Sequence, residues 1–155
     1  MSFQIKALAK SEFQYLFEVP PRELAGACAR RMTATAKPGF PCRVSLQDAE
    51  VGEEVILVHY EHQAAKTPFK ASHAVYVRAN AEQAQPAVGE VPELLRSRML
   101  SLRAFYSEGM MIAANLSDGK TVETVIDELF GDERADYIHI HFAKMGCYAA
   151  RVDRA

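Results

Sequence analysis

Apolar and polar residues follow two different periods along the chain, and these periods separate strands from helices. The segment "EEVILVHYEH" (53–62) carries four consecutive apolar residues, three of them β-branched. Such an unbroken apolar run is typical of a strand covered on both faces, so we predict a central strand there. Six further strands are predicted at 3–8, 74–79, 100–106, 109–116, 136–143 and 147–153.

Helical periodicity is clearest in 117–132, where apolar residues recur at spacings of three and four and Gly131 follows the last of them. Segments 20–32 and 92–99 are also predicted to be helices, because prolines at their starts suit the first helical turn. Several neighbouring strands are joined by segments too short for parallel crossovers, which need about a dozen residues or more. The pattern therefore predicts a two-layer α+β fold, with a largely antiparallel sheet of about seven strands and about three helices.

Composition narrows the classes of protein that this fold can represent. With 155 residues, 49% of them hydrophobic, the chain can bury one core, and we predict a single domain over residues 1–155. A net charge of −2 without a basic run argues against nucleic-acid binding. No apolar stretch approaches the roughly 18 residues of a membrane span, and the first residues lack the apolar centre of a signal peptide. Three widely spaced cysteines fit a reducing compartment, so we expect a cytoplasmic protein.

The last two strands, in "YIHIHFAKMGCYAARVDR" (137–154), have apolar residues at their even positions. We expect both even sets to face the core together, since a one-residue slip would expose one of them. The loop then has an odd length, and 144–146 fits, with Gly146 in the left-handed region. The predicted core-facing set is Ile138, Ile140, Phe142, Tyr148, Ala150 and Val152. The predicted pairs are Ala143 with Cys147, His141 with Ala149, His139 with Arg151, and Tyr137 with Asp153.

The opposite face of this hairpin gathers side chains with polar or reactive groups. Its predicted members are Tyr137, His139, His141, Cys147, Arg151 and Asp153. One interpretation is a solvated sheet face, which carries polar residues without any function. A second is a metal site at His139 and His141, with further ligands from Cys147, Asp153, His59 or His62. Arg151 opposite His139 counts against a bound cation, and no known ligand spacing such as HExxH is present.

The third interpretation, which we prefer among functional ones, is a binding site for a small anionic molecule. Arg151 can hold a carboxylate or phosphate with two parallel hydrogen bonds, and Arg43 in "GFPCR" joins it if that loop folds over the sheet. Asp153 can orient Arg151, and Tyr137 can donate a hydrogen bond. If the site is catalytic, His139, His141 and Cys147 are the candidates, because histidine exchanges protons near neutral pH and a thiolate is a nucleophile. The pattern specifies neither a reaction nor a cofactor.

Several other residues are assigned structural positions, and one non-enzymatic alternative stays open. Cys28 lies on the predicted helix 20–32 and is expected in the core. His59 and His62, three apart on a strand, point to opposite faces. We expect His59 to cap the sheet and His62 to lie in solvent. The alternative to a ligand site is an interaction module, for instance a homodimer joined through a sheet face or edge.

Three segments resemble a known family. They are "GFPCRVSLQDAEVGEEVILVHYEHQ" (39–63), "LRAFYSEGMMIAA" (102–114) and "YIHIHFAKMGCYAARVDRA" (137–155). Together they are similar to the domain-of-unknown-function family numbered 1203, whose members are small bacterial proteins of similar length. The resemblance covers nearly the whole chain, so it implies one domain and a bacterial, cytoplasmic origin. It implies no activity, substrate or cofactor, and no functional residues are carried over.

Overall fold

The computed structural model describes residues 2–155 and contains eight strands in two antiparallel sheets. The strands are β1 (Phe3–Lys6), β2 (Ala29–Thr33), β3 (Glu54–Gln63), β4 (Ala71–Arg78), β5 (Met99–Phe105), β6 (Met111–Asp118), β7 (Tyr137–Phe142) and β8 (Tyr148–Arg154). The larger sheet has the order β1-β8-β7-β5-β6, and the smaller has the order β2-β3-β4. The predicted α+β class with antiparallel strands is confirmed.

Helical segments in the described chain are short. The α-helices are α1 (Gln14–Glu18), α2 (Glu93–Arg96) and α3 (Val122–Phe130), and the 3₁₀ segments are Lys10–Glu12, Pro21–Ala27 and Gly119–Thr121. No helix among residues 2–155 has the length and apolar character needed to cross a bilayer.

The larger sheet buries one face against α2 and α3. Leu102 of β5 and Ile140 of β7 lie in this core with Ile126 and Phe130 of α3, and all four side chains are fully buried. This arrangement explains the 3.6-residue period of α3, whose apolar stripe meets the even-numbered face of the strands. The helix predicted over 117–132 and the hairpin predicted at 100–116 are therefore confirmed, with shifted ends.

The smaller sheet has a core of its own. Ile56 and Val58 of β3 pack with Val75 of β4 and with Leu16 and Leu24 from the helical N-terminal segment. β3 lies between β2 and β4, so the central strand predicted from its apolar run is confirmed.

The helix predicted over 20–32 is wrong. Only Pro21–Ala27 is helical, as a 3₁₀ segment, and the chain turns at Cys28, whose φ is 50°. The following residues form β2 because pairing with β3 provides five residues with a strand partner, which overrides their helical propensity. Cys28 is exposed at this turn, so its expected place in the core is also wrong.

The hairpin of β7 and β8 follows the predicted register at its far end and departs from it near the loop. Tyr137 pairs with Asp153 and His139 with Arg151, as predicted. His141, however, pairs with Tyr148, because a bulge inserts Ala149. The loop is also longer than predicted: the Phe142 N–H donates to Cys147 O (2.9 Å) and the Gly146 N–H to Phe142 O (2.7 Å). The predicted pairs Ala143–Cys147 and His141–Ala149 are therefore wrong.

The bulge has a direct consequence for which side chains share a face. The longer loop shifts the pairing of the two strands by one residue, and the residue inserted at the bulge shifts it back. Only the residues between the loop and the bulge therefore lie on the face opposite to the predicted one. Ala149 joins the apolar core, and Tyr148, predicted to face that core, lies against the histidines on the other side. Gly146 has φ 79°, the left-handed conformation predicted for it.

Candidate functional site

The histidine-bearing face of β7 is covered by protein. His139 and His141 are 3% and 1% exposed, although the neighbouring Arg151 and Asp153 are partly exposed. A solvated sheet face is therefore the wrong interpretation for the two histidines. Their cover is the end of the hairpin formed by β3 and β4, where His62 and His73 meet the larger sheet.

A bulge in β3 directs side chains toward this junction. The register with β4 shifts between Glu61 and Gln63, so His62 is the extra residue. Bulges re-aim side chains in this way next to functional sites. His62, expected in solvent, is half-buried against the other rings, and Gln63 is buried with its Nε2 donating to Tyr137 Oη at 2.8 Å.

Four of the five histidines of the chain lie together, and we call this set, His62, His73, His139 and His141, the histidine cluster. The ring centroids of His62 and His73 are 4.9 Å apart with the rings stacked, and those of His62 and His141 are 4.9 Å apart edge to face. Tyr148 stacks on the other side of His62 at 5.2 Å. The cluster therefore joins residues from both sheets.

Three members of the cluster bring ring nitrogens close together. One nitrogen each from His62, His73 and His141 lies within 4.8 Å of the other two. His62 Nε2 and His73 Nδ1 are 2.8 Å apart, so in this arrangement one of them carries a proton and the other accepts it.

The tautomer of His141 follows from its backbone contact. Its Nδ1 is 2.9 Å from Gly146 O, and a carbonyl can only accept, so Nδ1–H is the donor. Nε2 is then left with its lone pair. In metal sites a histidine ligand usually donates its second N–H to a carbonyl or carboxylate, which fixes the ring in this manner.

Burial keeps the cluster neutral. It lowers the pKa of His62 to about 4 and that of His139 and His141 to about 3, although the bond to Gly146 O opposes part of the shift at His141. The pKa of His73 is also lowered, mainly by burial and then by Arg103. Neutral imidazoles at pH 7 are the form in which histidine binds metals.

Arg103 of β5 is a member of this face that sequence reasoning missed. It pairs with His139 across the sheet, and its Nη1 is 3.5 Å from His141 Nε2, at the limit of a hydrogen bond. Its side chain is half-buried, and within residues 2–155 no carboxylate forms an ion pair with it. Arg103 has an odd-numbered position in "LSLRAFY", which places it on the polar face of β5. Its closeness to the histidines could not be predicted from this position without knowing that β5 pairs with β7.

Arg151, Asp153 and Tyr137 form a group at the far end of β7. Arg151 Nε donates to Asp153 Oδ1 at 2.6 Å, and its guanidinium lies 4.1 Å from the centroid of the Tyr137 ring. His139 connects this group to the cluster, since its ring is 5.1 Å from that of Tyr137. Four of the predicted ligand-binding residues, Tyr137, His139, Arg151 and Asp153, are thus neighbours.

Arg43 and Cys147 lie together behind the hairpin. Arg43 is 1% exposed, and its Nε donates to Tyr148 O (2.8 Å), its Nη1 to Pro41 O (2.6 Å) and its Nη2 to Cys147 Sγ (3.1 Å). All three nitrogens of its guanidinium are therefore engaged within the protein. In this structure Arg43 fastens the 41–43 segment to the start of β8.

The fold and the site define an α+β protein in which a cluster of neutral histidines lies at the junction of two antiparallel sheets. The chain belongs to the family described as "Protein of unknown function (DUF1203)", whose model matches residues 39–154. That span contains the whole histidine cluster and Arg103. Comparison with curated proteins and with solved structures gave no match.

Proposed function

We propose that this protein binds a divalent transition metal through His62, His73 and His141. The observation that carries this proposal is the approach of three ring nitrogens, one from each residue, to within 4.8 Å of one another. Nitrogens bound to one zinc ion at 2.0–2.1 Å are about 3.3 Å apart in a tetrahedral site. The cluster reaches that geometry if His62 and His73 separate slightly and His141 moves toward them.

The chemistry of the side chains supports the same assignment. All three imidazoles are neutral at pH 7, so none has to lose a net proton before a metal binds. The proton shared between His62 Nε2 and His73 Nδ1 has to move to the other nitrogen of the ring that carries it. His141 is already oriented by its bond to Gly146 O. Neutral imidazole suits zinc, copper, nickel and iron, whereas magnesium and calcium prefer oxygen ligands.

The number of ligands indicates the kind of metal site. Structural zinc sites use four protein ligands, whereas catalytic sites use three and keep a fourth position for water or another molecule. Three histidines at the cluster therefore support a site that is open to an exogenous ligand.

Metal titration of tag-free, metal-depleted protein tests this proposal. We expect Zn²⁺ and Co²⁺ to bind with a stoichiometry near one in isothermal titration calorimetry, and His73→Ala to weaken binding by at least about tenfold, since one of three ligands is lost. His59→Ala is the matched control, because His59 lies on the same hairpin but is exposed. Equal affinities for the two variants, or no stoichiometric binding by the unchanged protein, would refute the metal site.

The second candidate function is binding of a small anion without a metal, at Arg103, Arg151, Tyr137 and the nearby histidines. Arg103 favours it, because a half-buried guanidinium with no carboxylate partner among residues 2–155 attracts a carboxylate or phosphate. Thermal shift assays on metal-depleted protein with phosphate and acetate test it. A rise in Tm that is lost in Arg103→Met and Arg151→Ala supports this candidate, and an unchanged Tm in the parent protein rejects it.

A further inference from the structure

The charge around the histidine cluster is unbalanced once a metal is bound. Histidine binds a metal as neutral imidazole, so the ion keeps its double positive charge. Arg103 adds a third positive charge, with Nη1 only 3.5 Å from His141 Nε2. The nearby carboxylate of Asp153 does not offset this charge, because its Oδ1 already accepts a hydrogen bond from Arg151 Nε at 2.6 Å.

The other two arginines near this face are placed differently. Arg151 is held by Asp153 and lies over the Tyr137 ring. Arg43 is buried with its nitrogens bound to Tyr148 O, Pro41 O and Cys147 Sγ. Arg103, with Nη1 3.5 Å from His141 Nε2, is therefore the guanidinium placed to offer its N–H groups to an anion on the proposed metal.

We propose that the open coordination position of this metal takes a small carboxylate or oxyanion, and that Arg103 holds the same anion from the other side. This inference rests on the proposed metal site. One oxygen of the anion would bind the metal and another would accept from the Arg103 guanidinium, whose planar fork matches carboxylate and phosphate groups. The anion brings together two positive groups that repel each other without it.

The position of Arg103 is fixed by the sheet. Arg103 and His139 are directly paired on β5 and β7, so both side chains lie on the face that carries His141. The surrounding rings restrict the size of the ligand, since Tyr148 stacks on His62 at 5.2 Å and His139 lies edge-on to both. We therefore expect the cluster to bind a small anion, such as acetate or inorganic phosphate.

Cobalt spectroscopy separates the metal site from the anion site. Co²⁺-loaded protein in a non-coordinating buffer would be titrated with acetate and with phosphate at constant ionic strength, and the visible d–d bands recorded. We expect a saturable change of the bands in the unchanged protein. In Arg103→Met the anion affinity should fall by roughly tenfold or more, while Arg103→Lys, which keeps the charge but loses the fork, should lie between the two.

Metal affinity measured without added anion provides a second readout. Arg103→Met should bind Co²⁺ as tightly as the parent or more tightly, because a repelling charge is removed. A variant with merely damaged folding would bind the metal more weakly instead. Arg134→Met is the matched control, since Arg134 is an exposed arginine whose carboxylate partner is Asp132.

The outcomes are distinct. Absence of cobalt bands would overturn the metal site, and this inference with it. Cobalt bands that do not respond to either anion, or that respond equally in Arg103→Met, would overturn the anion inference and leave the metal site standing. Equally tight anion binding by the metal-depleted protein would show that the anion does not need the metal, which also contradicts the inference.

Discussion

At the scale of single residues, His139 shows what burial of a titratable group does to stability. Its ring is 3% exposed, and its Nδ1 is buried without a hydrogen-bond partner among the described residues. Burial lowers its pKa from 6.5 to about 3, mainly because the charged form loses its hydration. The unfolded chain therefore takes up a proton at this residue over a pH range in which the folded protein does not.

This difference gives a signed prediction for metal-depleted protein. Between about pH 6.5 and pH 3 the free energy of unfolding should fall as the pH is lowered, because protons bind the unfolded state preferentially. Above that range His139 adds no pH dependence. His139→Gln should make the slope shallower by up to about 1.4 kcal/mol per pH unit, the contribution of one proton.

Urea unfolding at a series of pH values measures this slope. His59→Gln is the control for the loss of one histidine, because the His59 side chain is exposed on the surface. His62 and His141 titrate in the same range, so part of the slope should persist in His139→Gln. Identical slopes for His139→Gln and the parent would contradict a neutral, buried His139.

At the scale of elements, Arg43 holds the β7–β8 hairpin to the segment that precedes β3. Its guanidinium donates to Tyr148 O and Pro41 O, two carbonyls that are far apart in sequence. Arg43→Met would leave both acceptors buried and unpaired, which should lower the free energy of unfolding by about 2–4 kcal/mol. Because Tyr148 stacks on His62, we also expect weaker metal binding.

Chemical denaturation and metal titration of Arg43→Met check these two effects. Arg22→Met is the control, since Arg22 is exposed and its loss should change stability by no more than about 0.5 kcal/mol. If Arg43→Met were as stable as Arg22→Met, the hydrogen bonds of the Arg43 guanidinium would not contribute to holding the two segments together.

The helices and strands also show which features of the fold hydrophobic periodicity can predict. The apolar stripe of α3 and the apolar run of β3 identified both correctly, because each depends on burial that recurs along the segment. The parity of β7 and β8 correctly paired His139 with Arg151 and placed Tyr137, His139 and His141 on one face. Parity failed at Tyr148, because a bulge adds one residue to a strand and leaves no mark in the hydrophobic pattern. The burial of His62 was missed because its neighbours on the larger sheet cannot be inferred from the pattern of its own strand.

At the scale of the whole molecule, the candidate site depends on the contact between the two sheets. The sequence placed His139 and His141 together, but the partners His62 and His73 come from the other sheet, and local patterns carry no information about that docking. The same contact includes the Gln63–Tyr137 hydrogen bond and one from Thr67 Oγ1 to Gly109 O at 3.1 Å. Residues outside the cluster can therefore control whether its nitrogens meet.

Gly109 tests this dependence most directly. It lies in the turn between β5 and β6 with φ 92°, and a Cβ added there would be 2.3 Å from Ala65 Cβ, in the segment that joins β3 to β4. Gly109→Ala should cost about 1–2 kcal/mol for the left-handed backbone. A further cost of roughly 1–3 kcal/mol is expected because the two segments must move apart.

Gly89→Ala separates these two contributions, because Gly89 has φ 78° and an added Cβ there would meet nothing within 4 Å. Denaturation should therefore show Gly109→Ala to be the less stable of the two variants. Metal titration should show weaker binding for Gly109→Ala alone, since separating the sheets draws His62 and His73 away from His141. If both variants bound metal like the parent, the approach of the three nitrogens would not depend on this contact between the sheets.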